Sequence, residues 1–250
     1  MTVALLPTRR DEAWRYSDLE AVASVWPVPA PERIEVAAGD EIARVIVQDA
    51  AADVVAIHDY AVVLGAGARA TFHILNTGGR LGRVTIDVTL HEGAHFELGA
   101  AMLGGGEQTL EIVTTMRHIE PHATSNQVVR SVLGGRATGS YLGKVAVARH
   151  AQKTDASQSV KAMLLARTAT ANAKPELEIY ADDVKCAHGA TVGELDANAL
   201  FYLMSRGIAP AEAKALLLRG FIAGVFDDVA DDGARKRLEA AASAALERML

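Results

Sequence analysis

The chain holds one cysteine, Cys186, and a histidine stands two residues after it. In an extended strand, side chains at positions i and i+2 point to the same face, so the thiol of Cys186 and the imidazole of His188 would be neighbours. Thiolate and imidazole are both ligands for the softer transition metals. An iron–sulfur cluster takes about four ligands, so this pair predicts half of such a site. A lone cysteine is also commonly an inert buried residue, and that alternative stays open here.

A second pattern, His91-Glu-Gly-Ala-His95, matches the His-Glu-x-x-His motif of zinc hydrolases. That chemistry needs both histidines one turn apart on the same face of a helix. The preceding residues, Val84 to Leu90, alternate like a β-strand, and Gly93 interrupts a helix. We therefore predict a β corner at His91 and His95. A zinc hydrolase is the alternative, which a stoichiometric zinc ion would reveal.

The glycine-rich segments do not predict a nucleotide site. The segment Gly65-Ala-Gly-Ala-Arg-Ala70 resembles a dinucleotide fingerprint, but strand-like residues follow at once and leave no room for the helix that binds a pyrophosphate. The sequence contains no Walker A pattern either, so we expect no nucleotide to be bound by this chain itself. His118 and His122 flank a Glu-Pro pair, where we expect exposed or locally hydrogen-bonded histidines.

The composition predicts a large apolar core without a disulfide framework. Half of the 250 residues are apolar and 5% are aromatic, so Ala, Val and Leu must fill the interior in regular layers. The net charge of −6 gives no electrostatic reason to expect nucleic-acid binding. One cysteine fits a reducing compartment, no apolar run reaches the roughly 18 residues of a membrane span, and residues 1–10 lack the order of a signal peptide. We therefore expect a cytoplasmic protein with no membrane partner.

The periodicity of the sequence changes twice along the chain. Residues 1–32 contain a short helical pattern that ends at a cluster of prolines. Residues 33–193 contain short β-rich pieces punctuated by Gly, Asn or Asp, and no pattern between them is long enough for a crossover helix. A β-sandwich, a barrel and a β-solenoid all fit; even spacing and Gly-Ala corners favour the solenoid, with the sandwich left open. Residues 194–250 are predicted to be helical.

Helix signals subdivide the last of these zones. Asp196 is a suitable N-cap for a helix that ends at Gly207, and Pro210 suits the first turn of the next helix. A third helix is predicted to begin near Asp232. The apolar face from Leu216 to Phe226 is broader than one small neighbour requires, so we expect an exposed part of it to mark a partner surface.

Several segments together carry a resemblance to the SufB/SufD family of iron–sulfur cluster assembly scaffolds. They are Glu12-Ala-Trp-Arg-Tyr-Ser-Asp18, Gln152-Lys-Thr-Asp155, Met163-Leu-Leu-Ala166, the block from Lys174 to Gly193, and Phe201-Tyr-Leu-Met-Ser-Arg-Gly-Ile208. The Cys-x-His-Gly form that begins at Cys186 is typical of the SufD branch, although Ala187 stands where serine is usual.

The resemblance implies a fold and a set of partners. The fold is a mainly β protein: a right-handed parallel β-helix core with a short helical N-terminal segment and a C-terminal helical domain. The function is a non-catalytic scaffold that pairs with SufB and binds the ATPase SufC through residues 194–250. Cys186 and His188 are then expected at the SufB interface, where they contribute to iron acquisition and share a transient iron–sulfur cluster with SufB.

For the contact with SufC, we expect four residues of the C-terminal helices to contribute. They are Tyr202, Arg206, Gly207 and Phe221. The alternative is a purely structural adaptor, or a homodimer in isolation, in which Cys186 and His188 have no metal role.

Overall fold

A computed structural model describes residues 5–250 and shows a parallel β-solenoid with helices at both ends. The strands are β1 (Glu32–Val36), β2 (Glu41–Gln48), β3 (Val55–Leu64), β4 (Arg69–Asn76), β5 (Leu81–Leu90), β6 (His95–Gly104), β7 (Thr109–His118), β8 (Thr124–Leu133), β9 (Thr138–Val147), β10 (Asp155–Leu164), β11 (Thr170–Ile179) and β12 (Lys185–Glu194). The helices are α1 (Leu19–Ala23), α2 (Ala197–Ser205), α3 (Pro210–Ala223) and α4 (Asp232–Glu247). The predicted fold class is confirmed. Of the β-sandwich, the barrel and the β-solenoid, the chain forms the solenoid.

The strands form two parallel sheets of six strands each. The odd sheet has the order β1-β3-β5-β7-β9-β11, and the even sheet has the order β12-β10-β8-β6-β4-β2. Each inner strand therefore pairs with the strands one coil earlier and one coil later, and the strands at the ends of each sheet pair on one side. Because side chains alternate along a strand, every strand sends one set into the space between the sheets and the other set outward. The interior set forms the main core, in which the rings of Phe72 and Phe96 lie 5.4 Å apart.

The N-terminal segment covers part of the outer face of the odd sheet. The helical pattern of the sequence forms a 3₁₀ turn over Glu12–Trp14 and then the short helix α1, rather than one continuous helix. Ala21 and Val22 of α1 pack on Leu81, together with Trp14. We call residues 11–26 the N-terminal strap. Residues 1–4 lie outside the described residues. They are the start of the predicted helical segment 1–32 and of the stretch predicted not to be a signal peptide.

The C-terminal helices cover the outer face of the even sheet. Asp196 caps α2 by accepting hydrogen bonds from the backbone of Asn198 and Ala199, and Gly207 takes a φ of +87° after the helix ends, as predicted. Apolar residues of α3, α4 and the connection between them pack against outward-facing residues of β4, β6 and β8; they include Leu75, Leu103, Val132, Leu218, Phe226 and Leu238. Within residues 5–250, no helix is long and apolar enough to cross a membrane.

Candidate functional site

Cys186 and His188 lie on the last strand of the even sheet. Among the described strands, β12 pairs with β10 alone, so its other edge is open. In that pairing Cys186 lies opposite Ala156 and His188 lies opposite Gln158. Ala156 and Gln158 are 1% and 3% exposed. Since in-register partners share a face, Cys186 and His188 occupy the interior-facing positions of the final coil.

The two side chains have different surroundings. Cys186 is half-buried and packs against the edge of the main core, and this burial raises the pKa of its thiol. Asp155 nearby raises the pKa of Cys186 further, and a backbone hydrogen bond from Ala156 lowers it in part. His188 is exposed, and in the described part of the chain its side chain has no hydrogen bond or ion pair. The imidazole is therefore available to a ligand, whereas the thiol needs a nearby cation to ionise readily.

The pair does not form a complete metal site by itself. No group of three or more His, Cys, Asp or Glu residues within residues 5–250 is placed to hold a metal ion. A thiolate and an imidazole do fit iron, but a tetrahedral iron or cluster site takes about four ligands. Any such site at Cys186 and His188 must therefore be completed by another molecule.

The interior beneath this pair is polar, unlike the interior of the first coils. Gln127 of β8 accepts hydrogen bonds from Thr114 at 2.7 Å and from Tyr141 at 3.0 Å. Gln158 of β10 lies between Gln127 and His188 in the register of the even sheet. Gln127 and Gln158 were not predicted from the sequence as site residues. The coil period could have identified them, because Gln127, Gln158 and His188 recur at the same position of successive coils.

His91 and His95 have separate partners, as the β-corner prediction requires. His91 lies in the turn before β6, where Gly93 has a φ of +66°, and His95 begins the strand. The Nδ1 atom of His91 lies 3.1 Å from Glu120. The Nδ1 atom of His95 lies 2.7 Å from the hydroxyl of Thr124. This arrangement differs from the helical face that zinc hydrolysis requires.

His118 and His122 also differ from each other. His118, the last residue of β7, is fully buried, and its Nε2 lies 2.9 Å from the hydroxyl of Ser125. Burial lowers the pKa of His118 to about 4. His122 is exposed in a turn with a φ of +63°. The first is therefore locally hydrogen-bonded and the second exposed.

Helix α2 presents apolar side chains to solvent. None of its residues is buried, and Phe201 is 72% exposed. We call four exposed residues of α2 and α3 the α2 patch: Phe201, Tyr202, Met204 and Leu216. Several large apolar side chains exposed on neighbouring helices are typical of a partner contact.

The residues predicted to contact SufC fall in two environments. The guanidinium carbon of Arg206 lies 5.2 Å from the ring centroid of Tyr202, and Gly207 ends the same helix. Phe221 is partly buried against the other C-terminal helices, so it supports α3 more than it faces solvent. Phe201 and Met204 of the α2 patch were missed as candidates, although their position within the matched block could have identified them.

Comparison with known proteins places this arrangement in a family. The model of the "SUF system FeS cluster assembly, SufBD core domain" matches residues 32–221. An iron–sulfur cluster assembly SufBD family protein of Synechocystis is 35% identical over 68% of this chain and 38% of its own length. The iron–sulfur cluster assembly protein SufD of Escherichia coli is 31% identical over 71% of this chain and 42% of its own length. SufD of Bacillus subtilis is 30% identical over 66% and 38%. The chain thus spans about two fifths of the length of these relatives, and it belongs to the SufBD family of iron–sulfur cluster assembly proteins.

Proposed function

We propose that the chain is a scaffold subunit of the SUF iron–sulfur assembly system that pairs with SufB and binds the ATPase SufC. The family match supports a role in cluster assembly, and the relatives named SufD support the identity of the subunit. The observation that carries the proposal is the position of Cys186 and His188, which face inward on a coil whose outer edge is open. The free thiol of Cys186 is consistent with a reducing cytoplasm.

The open end of the solenoid is the surface that we assign to SufB. Among the strands that the structure describes, β11 and β12 each have an unpaired edge, whose backbone groups can pair with another chain. Exposed apolar residues surround this end, among them Ile179, Tyr180 and Val192. A SufB molecule seated here covers Cys186 and His188 and supplies the further ligands of the nascent cluster. The cluster is cargo that is later handed on, and the chain itself catalyses no reaction.

The α2 patch is the surface that we assign to SufC. SufC hydrolyses ATP, and its movement acts on α2 and α3. Because α3 and α4 pack on the even sheet, displacement of the helices is transmitted to the strands that lead to β12. ATP hydrolysis by SufC can then shift β12 through these helices and expose Cys186 and His188 to iron or sulfide.

The position of Cys186 allows a direct test of the SufB surface. The chain is treated with iodoacetamide, alone and after co-expression with SufB, and alkylation of its single cysteine is followed by mass spectrometry. We expect SufB to slow the alkylation at least tenfold. Equal rates with SufB bound would contradict the assignment. Slow alkylation in the isolated chain that accelerates on dilution would instead identify a homodimer through the same end.

A further inference from the structure

A column of polar residues crosses the interior of the last three coils of the even sheet. Gln127 pairs with Gln158, and Gln158 pairs with His188, in the parallel registers of β8, β10 and β12. Neighbouring strands lie about 4.8 Å apart, so in-register side chains on one face stack within hydrogen-bonding reach. Gln158 and His188 also line an open groove of about 270 Å³ along β10 and β12.

The amide of Gln158 is buried without a partner. Neither its Oε1 nor its Nε2 has a hydrogen bond within residues 5–250, although the side chain is 3% exposed. Buried polar groups are nearly always paired, because an unpaired one costs about 1–3 kcal/mol of stability. The amide of Gln158 therefore needs a partner that this arrangement of side chains does not supply.

The surroundings of Gln158 leave few candidates for that partner. On its own strand the interior neighbours are Ala156 and Val160, which are apolar. One coil earlier, the Oε1 of Gln127 already accepts hydrogen bonds from Thr114 and Tyr141. The Nε2 of Gln127 has no partner within residues 5–250 and can donate to the Oε1 of Gln158, which still leaves one lone pair of that oxygen and the Nε2 of Gln158 for another neighbour. One coil later stands His188, whose ring has no hydrogen bond within residues 5–250.

We propose that Gln158 is the positioning residue of His188: its amide hydrogen-bonds the ring nitrogen that points into the solenoid and leaves the other nitrogen free for a metal ion. The bond requires a change of side-chain torsion, since the two groups do not bond in this structure. A glutamine amide offers an oxygen acceptor or an N–H donor, so it suits a metal-bound ring whose free nitrogen carries a proton. Metal-binding histidines generally have a second hydrogen bond of this kind.

The metal part of this inference rests on the function proposed above, whereas the hydrogen bond does not. The first test therefore uses the metal-free full chain, labelled with ¹⁵N-histidine and held at pH 8. Two-bond ¹H–¹⁵N spectra report the two neutral tautomers of His188. We expect Gln158→Met to change the tautomer ratio about fivefold, as the loss of one net hydrogen bond implies.

Two further variants separate positioning from a merely structural effect. Gln127→Met makes the same exchange two coils away from His188 and is expected to leave the tautomer ratio unchanged. Gln158→Glu keeps an oxygen acceptor and is expected to retain most of the wild-type ratio. Circular dichroism checks that each variant is folded. An unchanged ratio in Gln158→Met, or an equal change in Gln127→Met, would overturn the proposal.

The second test measures Co²⁺ binding to the complex with SufB by visible absorption. We expect Gln158→Met to weaken Co²⁺ binding about 10- to 100-fold, as the loss of an outer-shell partner does elsewhere. If His188→Ala abolishes binding and Gln158→Met does not weaken it, the positioning role fails and the ligand role stands. If His188→Ala has no effect on Co²⁺ binding, the ligand role in the proposed function fails, while the tautomer measurement still decides the hydrogen bond.

Discussion

Arg83 and Glu111 form an ion pair beneath the N-terminal strap, where each side chain is 1% exposed. The ring of Trp14 lies over the guanidinium, with its centroid 3.9 Å from the guanidinium carbon. The hydroxyl of Ser17 donates a hydrogen bond of 2.8 Å to the carboxylate of Glu111. The Trp-Arg-Tyr-Ser sequence of the strap therefore has a structural role: its first and last residues close a buried charge pair on the odd sheet.

Replacing one member of this pair is expected to destabilise the fold strongly. Glu111→Gln leaves the Arg83 guanidinium buried without a counter-charge, and such a loss costs about 3–5 kcal/mol. Urea unfolding followed by circular dichroism measures the change. The matched control is Asp87→Asn, which breaks the exposed pair of Asp87 with Arg117 on the same two strands. That control is expected to cost about 1 kcal/mol or less, and equal losses in both variants would contradict the prediction.

The buried His118 is expected to make stability pH-dependent. Its pKa is about 4 in the folded chain because of burial, against about 6.5 in an unfolded one. As the pH falls from about 6.5 to 4, the unfolded state binds a proton that the folded state does not, so the free energy of unfolding decreases by about 3 kcal/mol. Unfolding at pH 7 and pH 4 should therefore show a smaller loss in His118→Gln than in wild type. Replacement of the exposed His122 by Gln serves as the control, and the same loss in all three proteins would refute the assignment.

Gly99 is expected to be required for docking of the C-terminal helices. A Cβ atom at this position of β6 would lie 2.3 Å from the carbonyl oxygen of Val225, in the connection that follows α3. Gly99→Ala should therefore displace that connection and increase cleavage after α3 in limited proteolysis. Gly193→Ala is the control, because its Cβ would meet no atom within 4 Å. Cleavage patterns that match between the two variants would show that the contact is not important.

The α2 patch is expected to be needed for SufC binding but not for folding. Phe201→Ser removes the most exposed aromatic ring of a helix that has no buried residue, so the melting temperature should not change. Binding to SufC, measured by calorimetry, should weaken at least tenfold, as is usual for an aromatic anchor in an interface. Replacing Leu250, an exposed residue outside the patch, by Ser is the control. Unchanged affinity in Phe201→Ser would exclude the patch as the contact.

Local sequence signals predicted the periodic parts of the fold well. Three helix boundaries depend only on a few neighbouring residues and lie where the sequence predicted them. Asp196 caps the start of α2, Gly207 follows its end with a positive φ, and Pro210 begins α3. Periodicity alone did not separate a solenoid from a sandwich, because both alternate side chains between a core and an outer face. The pairing of residues about one coil apart separates them, and that information is not local.

The candidate site also has features that local sequence predicts and features that depend on strand pairing. The shared face of Cys186 and His188 follows from their spacing, but their place at the open end depends on the order of the strands. Gln158 was missed because its significance comes from its register with His188, not from any motif around it. The pairing of Arg83 with Glu111 joins two strands and is closed by a segment about 70 residues away in sequence from Arg83, so no local pattern indicates it.

The iron content of the reconstituted complex is the direct measurement of the proposed role of Cys186 and His188, which is to hold iron at the interface with SufB. The complex of this chain with SufB and SufC is incubated anaerobically with ferrous iron and sulfide, desalted, and analysed for iron per complex. We predict that His188→Ala loses most of the bound iron while the complex elutes intact from size exclusion, and that His122→Ala retains it. An intact His188→Ala complex with the wild-type iron content would exclude His188 as an iron ligand.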